Sequence, residues 1–181
     1  MRTLADYPKL LLELLLEQNG VIEPKDYSYE SNKKLFWRCD AASDHVWEAS
    51  VKERAANGWG CPFCSGRRVS KSNSLRSLHP ELATMWHPTK NGDVTPDDVT
   101  AGSHKKVWWQ CAVASDHEWQ ATVASRASRG GGCPFCDGKR PSSTNCLSTM
   151  HPKIAAEWHP DKNGLLKPDA LTCGSSKKVW W

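Results

Sequence analysis

A chain of 181 residues with 39% hydrophobic residues, 3 Phe and 10 Trp cannot assemble one large aliphatic core, so several small units are expected instead. The formal charge of +4 falls short of a dedicated polyanion binder, and the one long apolar run, residues 10–16, is short and broken by Glu13, which excludes a membrane span. Eight cysteines with no basic-then-apolar leader before them point to an intracellular chain, cytoplasmic or nucleoid-associated, whose thiols are reduced and available to a metal.

In chain order, "DYPKLLLELLLEQNG" (6–20) predicts a helix, with Pro8 near its first turn and Asn19-Gly20 as its stop. A turn-rich connector follows. "KKLFWRC" (33–39) and "HVWEASV" (45–51) are short runs of β-formers around a tight polar loop and predict a hairpin, closed by "CPFC" (61–64). The same order returns 72 residues later: "LHPELATMWHPTKNG" (78–92), "KKVWWQC" (105–111), "HEWQATV" (117–123) and "CPFC" (133–136). Here Pro88 is expected to end the helix near Trp86. A third start, "MHPKIAAEWHPDKNG" (150–164), runs on to "KKVWW" at residue 181.

The chain therefore reads as repeat 1 (1–68, with a hairpin-and-CPFC module at about 33–66), repeat 2 (69–140, module about 105–138) and a truncated third (141–181) that stops within its first strand. "SGRRVSKSNS" (65–74) and "DGKRPSSTN" (137–145) are expected to be linkers that few contacts cross. For the last residues there are two expectations: a unit cut short, with 175–181 mobile, or a half unit capping the array, with Trp180 or Trp181 buried.

Each complete copy carries Cys, five residues, His, fifteen residues, Cys, two residues, Cys: Cys39, His45, Cys61, Cys64 and Cys111, His117, Cys133, Cys136. Four thiolate and imidazole donors suit tetrahedral Zn²⁺, and a two-residue gap lets two sulfurs on one turn face one ion. Two structural Zn²⁺ are implied. A catalytic zinc keeps one position open, whereas this pattern fills four, so no chemistry is expected of it. Cys146 and Cys173 align with Ser74 and Ala101 and are ordinary thiols; His79, His87, His151 and His159 align with Tyr7 or Leu15 and are packing or surface residues. Binding the ions as thiolate sites would lower the formal charge from +4 to about +2.

At "KKVWWQC…DHEWQATV…R…GGGCPFCDGKR", preceded by "WHPTKNGDVTPDDVTAGS", the chain resembles a family of tandem treble-clef or zinc-ribbon domains, that is, small α+β zinc-binding repeats. The resemblance implies an accessory role in nucleic-acid binding, beside a nuclease or within a mobile-element or defence system. DNA is favoured over RNA. The contacts would go to the phosphate backbone, from Lys33, Lys34, Arg54, Arg67, Arg68, Lys105, Lys106, Arg126, Arg129, Lys139 and Arg140. No membrane and no small-molecule substrate is expected. The competing readings are a protein-interaction scaffold and, more remotely, an HNH-type nuclease using Asn73 with His79 and Asn145 with His151. By strand alternation Trp37, Trp47, Trp109 and Trp119 share the zinc face, while Phe36, Trp108 and Trp180 face outward, against the helix of their own unit.

Overall fold

A computed structural model describes residues 1–181, the side chain of Arg129 excepted. The chain divides into two compact units, one of Met1–Leu78 with Asp97–Ala101 and one of His79–Pro96 with Gly102–Trp181. Their limits are offset from the sequence period, because the first residues of each new repeat pack onto the module before it.

In the first unit α1 (Pro8–Leu12) and α2 (Leu16–Asn19) replace the single helix expected from the sequence. The break at residues 13–15 has a backbone cause. Leu14 bridges antiparallel to Trp37, Arg38 N–H donates to Glu13 O at 2.7 Å, and Leu15 N–H donates to Phe36 O at 3.1 Å. Glu13–Leu15 thus serve as a third strand fragment, and a residue cannot pair with a strand and keep its helical bond as well. The second unit breaks at the same place, where Trp86 bridges to Trp109 beyond α5 (Pro80–Ala83). Leu16 stands where that unit has Pro88, so strand pairing and not proline sets the break.

The hairpins form as expected, and the units are small α+β folds. In the first unit β1 (Lys34–Arg38) pairs with β2 (Val46–Ser50); in the second β3 (Lys106–Gln110) pairs with β4 (Glu118–Thr122). Helices α3 (Val51–Ala55) and α6 (Val123–Arg129) follow their strands without a loop. Ser50 and Glu53 form a reciprocal capping box at the start of α3, and Thr122 Oγ1 accepts the Ser125 N–H at the start of α6. The first core gathers Leu4, Leu35, Trp37, Trp47, Val51 and Phe63, and Trp37 is 0% exposed. In the second unit Val107, Trp109, Trp119, Val123 and Phe135 are buried in the same register.

Short helices α4 (Leu75–Leu78), α7 (Leu147–Met150) and α8 (Pro152–Ala156) open the later repeats. Each start is tied to its own connector: Leu75 N–H donates to Val99 O and Leu147 N–H to Leu171 O, both at 2.8 Å. The asparagine of each Asn-Gly turn then grips the strand behind it. Asn19, Asn91 and Asn163 each accept from the N–H, and donate to the C=O, of Phe36, Trp108 and Trp180 respectively, at 2.7–3.0 Å. One side chain thereby does the work of a paired strand residue. This clamp also holds the last residues: Trp181 packs edge-on against Trp158 at 5.6 Å, yet Trp180 and Trp181 are 59% and 52% exposed, so the burial expected of a capping half unit is not seen. No helix among the described residues is long and apolar enough to cross a membrane.

Candidate metal centres

The end of β1 delivers Cys39, the start of β2 delivers His45, and the Cys61–Cys64 turn delivers two more sulfurs; β3, β4 and the Cys133–Cys136 turn do the same for the second centre. Within each set all four donor atoms lie within 4.8 Å of one another. Cys39 and Cys64 Sγ are 3.6 Å apart, and His45 Nδ1 is 3.7 and 3.5 Å from Cys61 and Cys64 Sγ. The corresponding distances at the second centre are 3.8, 3.6 and 3.6 Å. A regular tetrahedron on Zn²⁺, with Zn–S about 2.3 Å and Zn–N about 2.05 Å, has S···S edges of about 3.8 Å and S···N edges of about 3.6 Å. The donor sets therefore have the dimensions of a zinc tetrahedron, and both centres are compatible with zinc. The five-residue loops between Cys39 and His45 and between Cys111 and His117 both bring the imidazole to the sulfurs.

The turn geometry explains the fit. Cys64 N–H points at Cys61 Sγ at 3.5 Å and Ala41 N–H at Cys39 Sγ at 3.5 Å, so backbone dipoles favour charge on sulfur. Gly66 and Gly138, with φ of 71° and 69°, take the left-handed bend that turns the chain away after the second sulfur. Phe63 and Phe135 lie flat on the ligand imidazoles, centroids 5.0 Å apart in each case, and meet Trp47 and Trp119 edge-on. Without an ion three thiols are crowded together. Desolvation first, then hydrogen bonds with the two neighbouring thiols, push Cys64 and Cys136 up to about 12. A divalent cation reverses that balance, since it binds the thiolate form.

The segments expected to be linkers in fact close the centres. His45 Nε2–H faces Ser72 Oγ at 3.0 Å, Ser72 O–H donates to Asp44 Oδ1 at 2.7 Å, and Ser72 N–H donates to Asp44 Oδ2 at 2.9 Å. Those two bonds bring Asp44 down to about 2. At the second centre His117 Nε2–H is met by Ser142 Oγ at 2.9 Å and Thr144 Oγ1 at 2.8 Å, while Asp116 accepts the backbone N–H of Ser143 at 2.6 Å. In both centres the occupied Nε2 fixes the tautomer and leaves the Nδ1 lone pair for the ion. Asn73 binds Phe63 O, Arg68 O and Ser70 N–H; Asn145 binds Phe135 O, Arg140 O and Ser142 N–H. The signal was in the sequence as Ser-x-(Ser/Thr)-Asn at the same offset, but short polar runs resemble linkers until the imidazole they face is known.

Several other expectations change. Arg54 and Arg126, named as phosphate contacts, are 5% and 4% exposed and belong to the core. Arg54 lies 5.2 and 5.1 Å from the ring centroids of Trp37 and Trp47, paired with Glu13 and the carbonyl of Trp59; Arg126 lies 5.3 and 5.2 Å from Trp109 and Trp119, bonded to Gly132 O and Met85 Sδ. Each guanidinium sits against two indoles and donates to a backbone carbonyl, so the recurrence of Arg at this position reflects packing. Lys33, Lys34, Arg67, Arg68, Lys105, Lys106, Lys139 and Arg140 are exposed, and the side chain of Arg129 lies outside the described residues. Trp108 is half-buried with Lys90 Nζ 4.9 Å over its ring, and Trp86, just past the helix, meets Trp109 edge-on with centroids 5.4 Å apart. His87 is a buried turn anchor bonded to Glu118 at 2.8 Å. Asn73 and Asn145 are occupied as loop clamps, and His79 faces Glu81 at 3.3 Å.

The repeated hairpin, turn and Cys₃His centre match the family described as "Probable Treble clef zinc finger domain" at residues 10–67, 82–139 and 154–181. The chain belongs to that family. Its third match covers the helix, the connector and the terminal residues without the ligand cysteines, as the period requires. A comparison with curated proteins returns no match.

Proposed function

We propose that the chain is a non-catalytic tandem zinc-finger protein, each complete unit locked by one structural Zn²⁺, that binds nucleic acid, DNA in preference to RNA, mainly through its phosphates. One observation carries the reading: the same basic pairs stand exposed in the same register around both centres, Lys33-Lys34 with Arg67-Arg68 and Lys105-Lys106 with Lys139-Arg140. The fold has no need of them for packing, unlike Arg54 and Arg126. Lys34 is only loosely held by Glu48 at 3.3 Å, an exposed pair worth little, and Gln120 stands at the equivalent of Glu48 in the second unit.

Backbone contacts predict steep salt dependence, with log K falling by about 0.9 per phosphate neutralised for each unit of log salt on duplex DNA. A mobility-shift titration of zinc-loaded protein at two salt concentrations tests this. Replacing Lys33, Lys34, Lys105 and Lys106 by Ala should weaken binding to all sequences alike and flatten the slope; absence of binding at low salt overturns the proposal. A second reading, a scaffold for a nuclease subunit or another protein, is favoured by the exposed Met150, Ile154, Trp180 and Trp181 of the third repeat. Binding to such a partner would be insensitive to salt.

A further inference from the structure

The two complete copies share nearly every core side chain, which makes a large side chain present in only one of them informative. Trp59 is such a residue: Gly131 stands at its place in the second copy, so the fold does not require an indole there. Trp59 is 50% exposed, yet its position is set by the backbone, with its N–H donating to Glu53 O at 2.9 Å and its carbonyl holding the buried Arg54. An exposed tryptophan on a pinned backbone exposes apolar area without offering loop flexibility, a poor arrangement for stability and a good one for binding a flat ligand.

The indole forms one wall of a cleft of about 210 Å³, with Trp47, Glu48, Arg67 and Arg68 among the other walls. The Arg67 guanidinium lies 5.9 Å from the Trp59 ring centroid, anchored by its Nε–H to Ser65 Oγ at 3.0 Å, and Arg68 lies 6.0 Å from the Phe63 ring. One side of the cleft is thus aromatic and cationic. The lining also includes Glu48, whose carboxylate meets the exposed Lys34 at 3.3 Å, and Glu53, held low by hydrogen bonds from Ser50 and so ionised at neutral pH. A ligand that fits is a planar ring with amino or imino donors for the carboxylates and an anionic group for the arginines. A phosphate cannot sit against Glu48 and Glu53, so the ring enters and the phosphate stays at the Arg67-Arg68 rim. A free carboxylate-bearing ligand would satisfy the arginines but leave the indole face uncovered.

We infer that this cleft of the first unit takes one unpaired nucleotide of a nucleic-acid strand, its base stacked on Trp59 and its phosphate on Arg67 and Arg68, and that the second unit lacks this ability. The inference rests on the nucleic-acid reading and sharpens it, since a stacking wall favours single-stranded over duplex substrate. Base–aromatic stacking contributes about 1–3 kcal/mol per base, corresponding to a loss of roughly 5- to 150-fold when the ring is removed.

The test uses the full zinc-loaded chain and fluorescence anisotropy with a single-stranded DNA oligonucleotide, an RNA of the same sequence and the corresponding duplex. Trp59→Gly, which copies the second unit, should weaken single-strand binding at least 5-fold and leave duplex binding within 2-fold, with zinc content and far-UV circular dichroism unchanged; Trp59→Phe should restore most of the loss. In wild-type protein, a 5-bromouracil oligonucleotide should photo-crosslink to Trp59, which needs no variant to fold. Equal single-strand affinity of wild type and Trp59→Gly, or crosslinks that avoid Trp59, would overturn the stacking site while leaving backbone binding intact. No binding of any oligonucleotide at low salt would overturn the broader reading and this one together. Equal losses on single strand and duplex also count against it.

Discussion

The two complete units differ where their buried arginines find a partner. Arg54 is paired with the Glu13 carboxylate, whereas Arg126 meets Met85 at the same position, and burial draws its pKa down, offset in part by Cys133, Asp137 and Cys111. The comparison teaches that the cation itself is the constant element and its carboxylate partner is optional. Two indole faces serve each guanidinium, and three nearby thiolates around an ion would supply the negative charge that Met85 does not. The Nε of both arginines is buried without a hydrogen-bond partner, so the aromatic contacts and the bonds of the terminal nitrogens to Trp59 O and Gly132 O hold these groups in place.

The largest expected effect separates the units outright. Cys61→Ser with Cys64→Ser should remove one of two zinc ions and unfold the first unit while sparing the second, and Cys133→Ser with Cys136→Ser should do the reverse. Structural zinc contributes on the order of 10–16 kcal/mol to such folds at neutral pH, more than a unit of this size can lose. Native mass spectrometry and amide exchange read stoichiometry and fold independently. Loss of both ions from either variant would mean that the centres are not independent.

Next in size is the arginine itself. Arg54→Met strands Glu13 in a partly buried site and is expected to cost about 3 kcal/mol, near the lower bound for breaking a buried pair. Glu13→Met turns the first unit into a copy of the second and should cost only about 1 kcal/mol, because Arg126 shows that the cation is tolerated beside methionine. Chemical denaturation of the zinc-loaded variants measures both. If Glu13→Met proved as costly as Arg54→Met, the carboxylate would be essential and the comparison misleading.

A smaller effect lies behind the imidazoles. One hydroxyl, that of Ser72, meets His45 and passes the contact to Asp44, whereas His117 meets two, those of Ser142 and Thr144. Ser72→Ala should therefore lower zinc affinity at the first centre by about 10- to 100-fold, in the range found for groups that orient a ligand. Thr144→Ala, with Ser142 still in place, should change the second centre by less than about 10-fold. Competition with a chromophoric chelator resolves the two.

How far the sequence reached can be judged from these same residues. The eight ligands, the two hairpins and the repeat were legible because metal geometry and strand alternation act over a few residues and recurred at one offset. The roles of Arg54, Arg126, Ser72 and Asn73 were not legible. Each depends on a partner tens of residues away, across a fold whose closure only three dimensions reveal, and a recurring arginine reads as a phosphate contact until two tryptophans are seen around it. The helix break at Glu13–Leu15 was hidden for the same reason, since good helix formers were overruled by pairing to β1.

The smallest expected difference between the units is in their protons. Cys64 and Cys136 are both pushed up to about 12, so without metal the folded state holds those protons more tightly than the unfolded chain does. A thiol raised in this way contributes stability below its ordinary value near 9, and that contribution is lost as pH rises from about 9 through about 12. Metal reverses the sign: the loaded fold carries thiolates, so it loses stability as pH falls and protons compete for sulfur. Cys64 and Cys136 hold their protons at pH 7, so each zinc should release at least that one proton on binding. Calorimetric titration in buffers of different ionisation enthalpy counts them. Equal counts at the two centres would show that the relay behind His45 positions its ring without altering the protonation of the sulfurs; a deficit of one proton at the first centre would mean that Asp44 and Ser72 reach further into the ligand set than hydrogen bonding to the ring allows.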